Sequence, residues 1–307
     1  MRWASENASI EQVSARVDSS HVPPGGMTPL VVLSPHFDDA VISCGGLLAA
    51  ARALGRHTTV TTVFAGEPSP DSVAFRHRIF ARYDIRRAED GRALTILDAA
   101  SLRLSCIERV YRTPSLRGPG AVFRALPPNG LAGFDNLVTI RDAIDAMPHD
   151  ATLIAPLGIG NHFDHVEVFL AAFTAALEND AIRARLWFYE DPYSLLAAAR
   201  ERHFVARRIA GPVSWRPTWS MRVWSLFHRL SERGPRLETM LPRHADAMRW
   251  HPVRTSMLAY EMQKLAAVRS YASQLHALGG EGWLNAMRAH HAHWGGAELL
   301  WRFDRRE

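Results

Sequence analysis

Short, unbroken apolar runs, each followed by a stretch of helical spacing, recur through the first two thirds of the chain and leave few folds open. Leu30-Val31-Val32-Leu33 has no polar interruption, and the same holds for the strand signals at 152–155 and 186–189. A strand covered on both faces loses the in–out alternation, so such runs mark the buried strands of a parallel sheet. The β-branched run 58–64, closed by Gly66 and Pro68, is a fourth strand. Helical spacing appears at 46–54, 86–99, 137–147 and 165–177, with a Pro/Gly-rich stretch at 114–133 between the second and third. Strand and helix in alternation with short connections give an α/β fold: a Rossmann-like, mostly parallel sheet flanked by helices.

After Asp191 the strand signals fade. Residues 211–252 are rich in Trp, Arg and Pro and take no firm assignment, whereas 255–278 reads as one long helix, with Met257, Leu258, Met262, Leu265 and Val268 at helical spacing. The C-terminal portion is therefore expected to be helical. Residues 1–28, ending in Pro23-Pro24-Gly25-Gly26, show no periodicity and read as an extension. Residues 29–307 then form a single domain, a length sufficient to bury a substantial core.

Composition excludes several function classes. No run approaches the roughly 20 apolar residues of a membrane span, and the polar N-terminus lacks the apolar centre of a signal peptide. The net charge is +5 and Lys264 is the only lysine, but the arginines are scattered, so no nucleic-acid footprint emerges. Two cysteines, Cys44 and Cys106, make neither a disulfide framework nor a CxxC metal site and fit a reducing, cytoplasmic location. Cys44 reads as a buried thiol. There is no GxGxxG fingerprint; Gly45-Gly46 instead permits close packing of a helix.

Two segments carry the chemistry. Ser34-Pro35-His36-Phe37-Asp38-Asp39 follows the first strand, and Asn161-His162-Phe163-Asp164-His165 follows the strand at 152–155. Both lie at carboxyl ends of strands, where an α/β sheet builds its site. His36 and Asp39 are three residues apart on a strand-to-helix turn, and His162 and His165 are three apart at a helix start. Two histidines and one aspartate suit a catalytic zinc with a position left open for water. Asp38 and the remaining histidine would then be free to move protons, as hydrolysis of an amide requires. Either segment alone has a bland reading, the Asp-Asp pair as a helix cap above all; together, at the ends of strands in one sheet, they favour a site.

At these residues the sequence resembles the PIG-L/LmbE-like family of zinc deacetylases, which is marked by His-Pro-Asp-Asp after the first strand and His-x-Asp-His more than a hundred residues later. Here the motifs stand as His36-Phe37-Asp38-Asp39 and His162-Phe163-Asp164-His165, and the likeness spans 30–193. The resemblance implies a Zn2+ cofactor held by His36, Asp39 and His165. It makes Asp38 the general base and His162 the oxyanion stabiliser or acid, with Asp164 orienting His162. It assigns Arg86 to substrate hydroxyls. The strand end Tyr189-Glu190-Asp191-Pro192-Tyr193 also looks similar to the family, and Glu190 and Asp191 there either line the pocket or cap the next element. The family's proline is Phe37 here, and the acidic residue that often follows the Asp pair is Ala40.

The function so implied is removal of an N-acyl, chiefly N-acetyl, group from a small-molecule amino-sugar substrate, with no nucleic-acid partner and homo-oligomer formation left open. A metal-dependent esterase or phosphoesterase on the same scaffold and a non-catalytic binding protein are the alternatives. Trp215, Trp219 and Trp224 are candidates for sugar stacking but fit core or interface as well, and His290, His291 and His293 read as exposed helix histidines.

Overall fold

The computed structural model describes residues 18–20, 25–69, 73, 81–112, 130–211, 222–223, 226, 236–242, 245 and 248–305. Trp215, Trp219 and Trp224 lie outside the described residues, as do most of the N-terminal extension and of the Pro/Gly-rich stretch.

The apolar runs become β2 (Leu30–Ser34), β5 (Thr152–Pro156) and β6 (Leu186–Tyr189), and the β-branched run becomes β3 (Thr58–Thr62). With β1 (Asp18–Ser20), β4 (Ala100–Arg103), β7 (Met248–Ser256) and β8 (Ala297–Arg305) they form one sheet in the order β1-β7-β8-β6-β5-β2-β3-β4. Neighbours pair in parallel except β8, which runs antiparallel to both β6 and β7. The principal helices are α1 (Asp39–Ala53), α2 (Tyr83–Leu97), α3 (Arg109–Arg112), α4 (Leu137–Asp145), α5 (Phe163–Glu178), α6 (Asp180–Arg185), α7 (Ala197–Arg202), α8 (Glu261–Arg269), α9 (Ala272–Leu278) and α10 (Glu281–His293).

This is the α/β architecture that the alternation implied, with two differences in the last third. The stretch 255–278 is not one helix: β7 runs to Ser256, a 3-10 turn follows at Leu258–Tyr260, and α8 and α9 are separate. Leu258 and Met262 are exposed, so the apparent apolar stripe is not a single buried face. The helical C-terminal portion also supplies the antiparallel β7–β8 pair. The N-terminal extension contributes β1, which pairs with β7 at Val253–Thr255.

Strand order reverses between β2 and β5. β2 leads outward to β3 and β4 on one side, whereas β5 leads to β6 on the other. Adjacent parallel strands lie about 4.8 Å apart, and the crossover loops leave such a pair in opposite directions, opening a crevice at their carboxyl ends. The loops after β2, β5 and β6 therefore emerge side by side. α5, which starts at this crevice, is buried on every side, and α1 packs against α8. Gly45 and Gly46 make the α1 contact possible: a Cβ on Gly45 would stand 2.9 Å from Lys264 Cγ, and one on Gly46 would stand 2.4 Å from Met257 Cβ.

Candidate metal centre

The loop after β2 is tied down atom by atom. The Ser34 hydroxyl donates to the His36 carbonyl at 2.5 Å and accepts the Ala40 N–H at 3.0 Å. The N–H groups of Val63 and Phe64 donate to the carbonyls of Ser34 and Pro35 at 2.8 and 2.9 Å. The Tyr189 hydroxyl donates to the Leu33 carbonyl at 3.1 Å. Asp38 occupies the cap position of α1, yet its side chain makes no capping hydrogen bond. The bland reading of the Asp-Asp pair therefore does not apply.

Asp39 turns back into the loop. Its Oδ2 accepts the His36 N–H at 2.8 Å, faces His36 Nδ1 at 3.1 Å and faces His165 Nε2 at 3.2 Å. The loop after β5 delivers His165 through a sharp turn in which Gly158, Gly160 and Asn161 have φ of 77°, 88° and 55°. The left-handed region suits glycine, and Asn is the side chain that tolerates it best among the others. One ligand atom each from His36, Asp39 and His165 lies within 4.8 Å of the other two.

Asp191, from the loop after β6, fixes His165. Its Oδ1 meets His165 Nδ1 at 2.5 Å and its Oδ2 accepts the Ile159 N–H at 2.9 Å. With Nδ1–H committed to Asp191, a neutral His165 turns its Nε2 lone pair toward another acceptor, Asp39 Oδ2, 3.2 Å away. The contact calls for a positive charge between the two atoms, a proton on Nε2 in the metal-free protein or a metal ion in its place, so the residues fit a metal ion. A histidine ligand whose other nitrogen donates to a carboxylate is the usual second layer of such a site.

The electrostatics follow from burial and neighbours. Burial pushes Asp38 up, reinforced by Asp39, to about 6. Burial opposes ionisation of Asp39 as well, but His165 and His36 outweigh it and hold that carboxyl well below its ordinary range. Burial lowers His162 well below the ordinary imidazole value, with His165 and His36 adding to the effect, so it stays neutral. His165 moves the other way, to about 9: burial opposes its charge, but Asp39 and Asp191 outweigh that opposition.

The remaining sequence candidates fall in two groups. His162 and Asp164 join the centre, with the His36 and His162 ring centroids 4.9 Å apart. Asp164 Oδ2 meets His36 Nε2 at 3.2 Å, and Asp164 Oδ1 accepts from the Arg109 N–H and an Arg112 Nη, both at 3.1 Å. Arg86 lies beside Asp38 but is buried, its Nη1 paired with Glu108 at 2.5 Å and its guanidinium 5.3 Å from the ring centres of Phe37 and Tyr83. Glu190 stands apart. Both its oxygens are taken by Arg200, at 2.8 and 2.9 Å, and one also accepts from Trp301 Nε1.

His290 and His291 are buried, contrary to expectation; only His293 is exposed. They sit against a buried cluster that includes Lys264 and Glu298. Cys44 is buried, as expected.

Sequence reasoning gave no role to Glu108, Arg112, Tyr193 or Tyr271. Tyr193 stacks on His162 with centroids 5.9 Å apart. Asp191, expected with Glu190 either to line the pocket or to cap the next element, meets His165 Nδ1 instead.

Fold and donor set together define a mostly parallel α/β protein whose strand-end loops gather a buried His/Asp cluster able to hold a metal ion. Residues 31–176 match the family profile described as PIG-L: GlcNAc-PI de-N-acetylase, and over these residues the chain is similar to that family. Among solved structures, a deacetylase–bog complex from the teicoplanin biosynthesis pathway is similar with 26% identity and a TM-score of 0.63, covering 91% of this chain and 99% of that one. The zinc-inhibited form of teicoplanin deacetylase is similar at 26% identity and TM-score 0.61, over 91% and 99% of the two chains. The deacetylase of the antimicrobial A40926 pseudoaglycone is similar at 25% identity and TM-score 0.60, over 92% and 99%. No curated protein sequence matches the chain. Among the described residues, no helix is long and apolar enough to cross a membrane.

Proposed function

We propose that this protein is a zinc-dependent N-deacetylase that hydrolyses the N-acetyl group of an amino sugar. The observation that carries the reading is the division of labour between adjacent carboxylates. Asp39 faces the two imidazoles of His36 and His165, while Asp38, beside it, is held out of that set and pushed up to about 6. A general base working near neutral pH needs such a value. The match of residues 31–176 to the deacetylase family profile and the deacetylase neighbours support the same chemistry.

His36, Asp39 and His165 would hold the zinc, which when bound polarises the acetyl carbonyl and acidifies the attacking water. Asp38 takes the proton that water releases as its oxygen adds to the amide carbon. His162, kept neutral, donates an N–H to the carbonyl oxygen as that oxygen gains charge. The C–N bond then breaks as the proton on Asp38 passes to the departing nitrogen, leaving acetate and a free amine. Arg86, anchored by Glu108, limits the rise of Asp38, because its positive charge favours the carboxylate. Neighbours that deacetylate an antibiotic pseudoaglycone favour a sugar carried on a larger scaffold.

The test is amine release across N-acetylglucosamine conjugates and N-acylated glycoside antibiotics, with Asp38→Asn and His36→Ala beside the wild type. Asp38→Asn should bind zinc and lose turnover by about 100-fold or more; His36→Ala should lose both. Wild-type turnover in Asp38→Asn would discard the assignment of the base, and hydrolysis by a zinc-free chain would discard the metal.

A further inference from the structure

We infer that Arg112, on α3, is a positioning residue: it holds Asp164 against His36 and thereby fixes which nitrogen of His36 faces the metal ion. The inference rests on the zinc-hydrolase reading above.

The family resemblance ties Asp164 to His162, yet its Oδ2 meets His36 Nε2 at 3.2 Å. An ionised carboxylate only accepts, so this contact places a proton on Nε2. Nδ1 is then the nitrogen that faces Asp39 Oδ2, at 3.1 Å. Asp164 thus does for His36 what Asp191 does for His165. The two supports are built differently. Asp191 is itself held by a backbone donor, the Ile159 N–H. Asp164 has the Arg109 N–H at 3.1 Å, but it is also held by a full charge. One Arg112 Nη lies 3.1 Å from both Asp164 Oδ1 and Glu167 Oε2, and the other lies 2.8 Å from Asp135 Oδ2.

That charge is needed because of Glu167. Asp164 and Glu167 are three residues apart on α5, with side chains 2% and 0% exposed, so two buried carboxylates share one helix face and repel. Glu167 is pinned from its far side by Asn136, whose N–H lies 2.5 Å and Nδ2 3.2 Å from Oε1. Among the described residues, no other arginine or lysine side chain comes within 4.0 Å of either carboxylate. The guanidinium lies 5.6 and 5.7 Å from the ring centres of Phe64 and Phe163, which set its plane. A planar fork serves three carboxylates at once, which an ammonium on a flexible stem does not. Without Arg112, Glu167 stays where Asn136 holds it and repels Asp164, whose grip on His36 loosens. His36 then exchanges tautomers and turns a protonated Nδ1 toward Asp39 for part of the time. In that state the ion loses a ligand.

The experiment is competition for zinc between a chromophoric chelator and the full-length protein, for wild type, Arg112→Gln, Arg112→Lys, and Arg112→Gln combined with Glu167→Gln. Urea unfolding of the zinc-free proteins shows which variants fold. Arg112→Gln should bind zinc roughly 10- to 100-fold more weakly, the usual effect of disturbing such a partner. Arg112→Lys should fall between it and wild type, and it carries the test should Arg112→Gln not fold. The double variant should recover much of the lost affinity, because the repelling charge has gone; a role in packing alone would give no such rescue. Wild-type zinc affinity in the folded single variants would overturn the inference and leave the hydrolase reading intact, as would a double variant that binds zinc no better than Arg112→Gln. A wild type with no tight zinc would bring down the hydrolase reading, and the inference with it.

Discussion

The hydroxyl of Tyr271 lies 2.9 Å from the carbonyl oxygen of Phe37, joining the start of α9 to the residue between His36 and Asp38 across 234 positions of sequence. The same oxygen is 3.1 Å from Asp90 Oδ1 on α2. A phenol has one proton, so the two acceptors share it. Asp90 is held in turn by Arg103 at 2.7 Å. The turn that presents Asp38 is thus braced from β4, α2 and α9 together. Tyr271→Phe should lower stability by about 1–2 kcal/mol, because two buried acceptors lose a donor. It should also reduce kcat more than KM, since the base moves while the rest of the pocket does not. Denaturant unfolding and steady-state kinetics read the two effects, and an unchanged kcat would show that the turn holds its shape without this brace.

Asp191 predicts a separable effect on the metal. In Asp191→Asn the amide can present its N–H to His165 Nδ1 and favour the wrong tautomer, leaving Nε2 protonated toward Asp39. Zinc affinity should fall by roughly 10- to 100-fold, the usual effect of disturbing such a partner. Competition with a chromophoric chelator measures it. Wild-type affinity in the variant would mean that the backbone alone orients His165.

Much of this centre was legible in the sequence because its parts sit in short motifs at the ends of unmistakable strands. Buried parallel strands announce themselves as apolar runs, and the sheet order then brings residue 36 beside residue 165. The β7–β8 pair was not legible for a physical reason. β7 contains Pro252, three basic residues and polar positions open to solvent, so it shows neither an apolar run nor clean alternation. Pro252 lies one position before Val253–Thr255, the part of β7 that pairs with β1, and among the described residues β8 is its strand neighbour. The burial of His290 and His291 was hidden for another reason: it depends on long-range neighbours such as Lys264 and Glu298, which helical spacing does not reveal. β4 escaped notice as an exposed edge strand of only four residues.

The sole lysine of the chain makes a sharp stability prediction. Lys264 is fully buried; its Nζ lies 2.7 Å from Glu298 Oε1 and 3.1 Å from His291 Nε2, while Glu298 accepts the N–H groups of Gly46 and Leu47. Lys264→Met would leave the Glu298 charge without its counter-ion and should cost about 3–5 kcal/mol. Adding Glu298→Gln removes that charge and should recover part of the loss. Urea unfolding of the single and double variants gives the comparison; a double variant no more stable than the single would show that packing, not the stranded charge, sets the cost.

Acid should destabilise the fold as pH falls from 6.5 toward 4, and His203 supplies a measurable share. Its ring is buried, Nε2 meets the Leu157 carbonyl at 3.0 Å, and Nδ1 accepts the N–H groups of Val205 and Ala206 at 3.4 and 3.3 Å. A proton on Nδ1 would confront both donors. Burial brings this imidazole down from the ordinary 6.5 to about 4. The unfolded chain therefore binds the proton first. Stability is full above pH 6.5, declines as pH falls toward 4 and levels off below that. The decline due to this one group is about 3 kcal/mol. Leu157 begins the turn that carries His162 and His165, so the same protonation loosens the metal centre. His203→Gln can donate to Leu157 without acquiring a charge. It should flatten the fall in thermal midpoint between pH 6.5 and 4, at some cost in midpoint at neutral pH. A variant whose midpoint falls with pH as steeply as the wild type would assign the acid sensitivity to other groups, the buried His290 and His291 first among them.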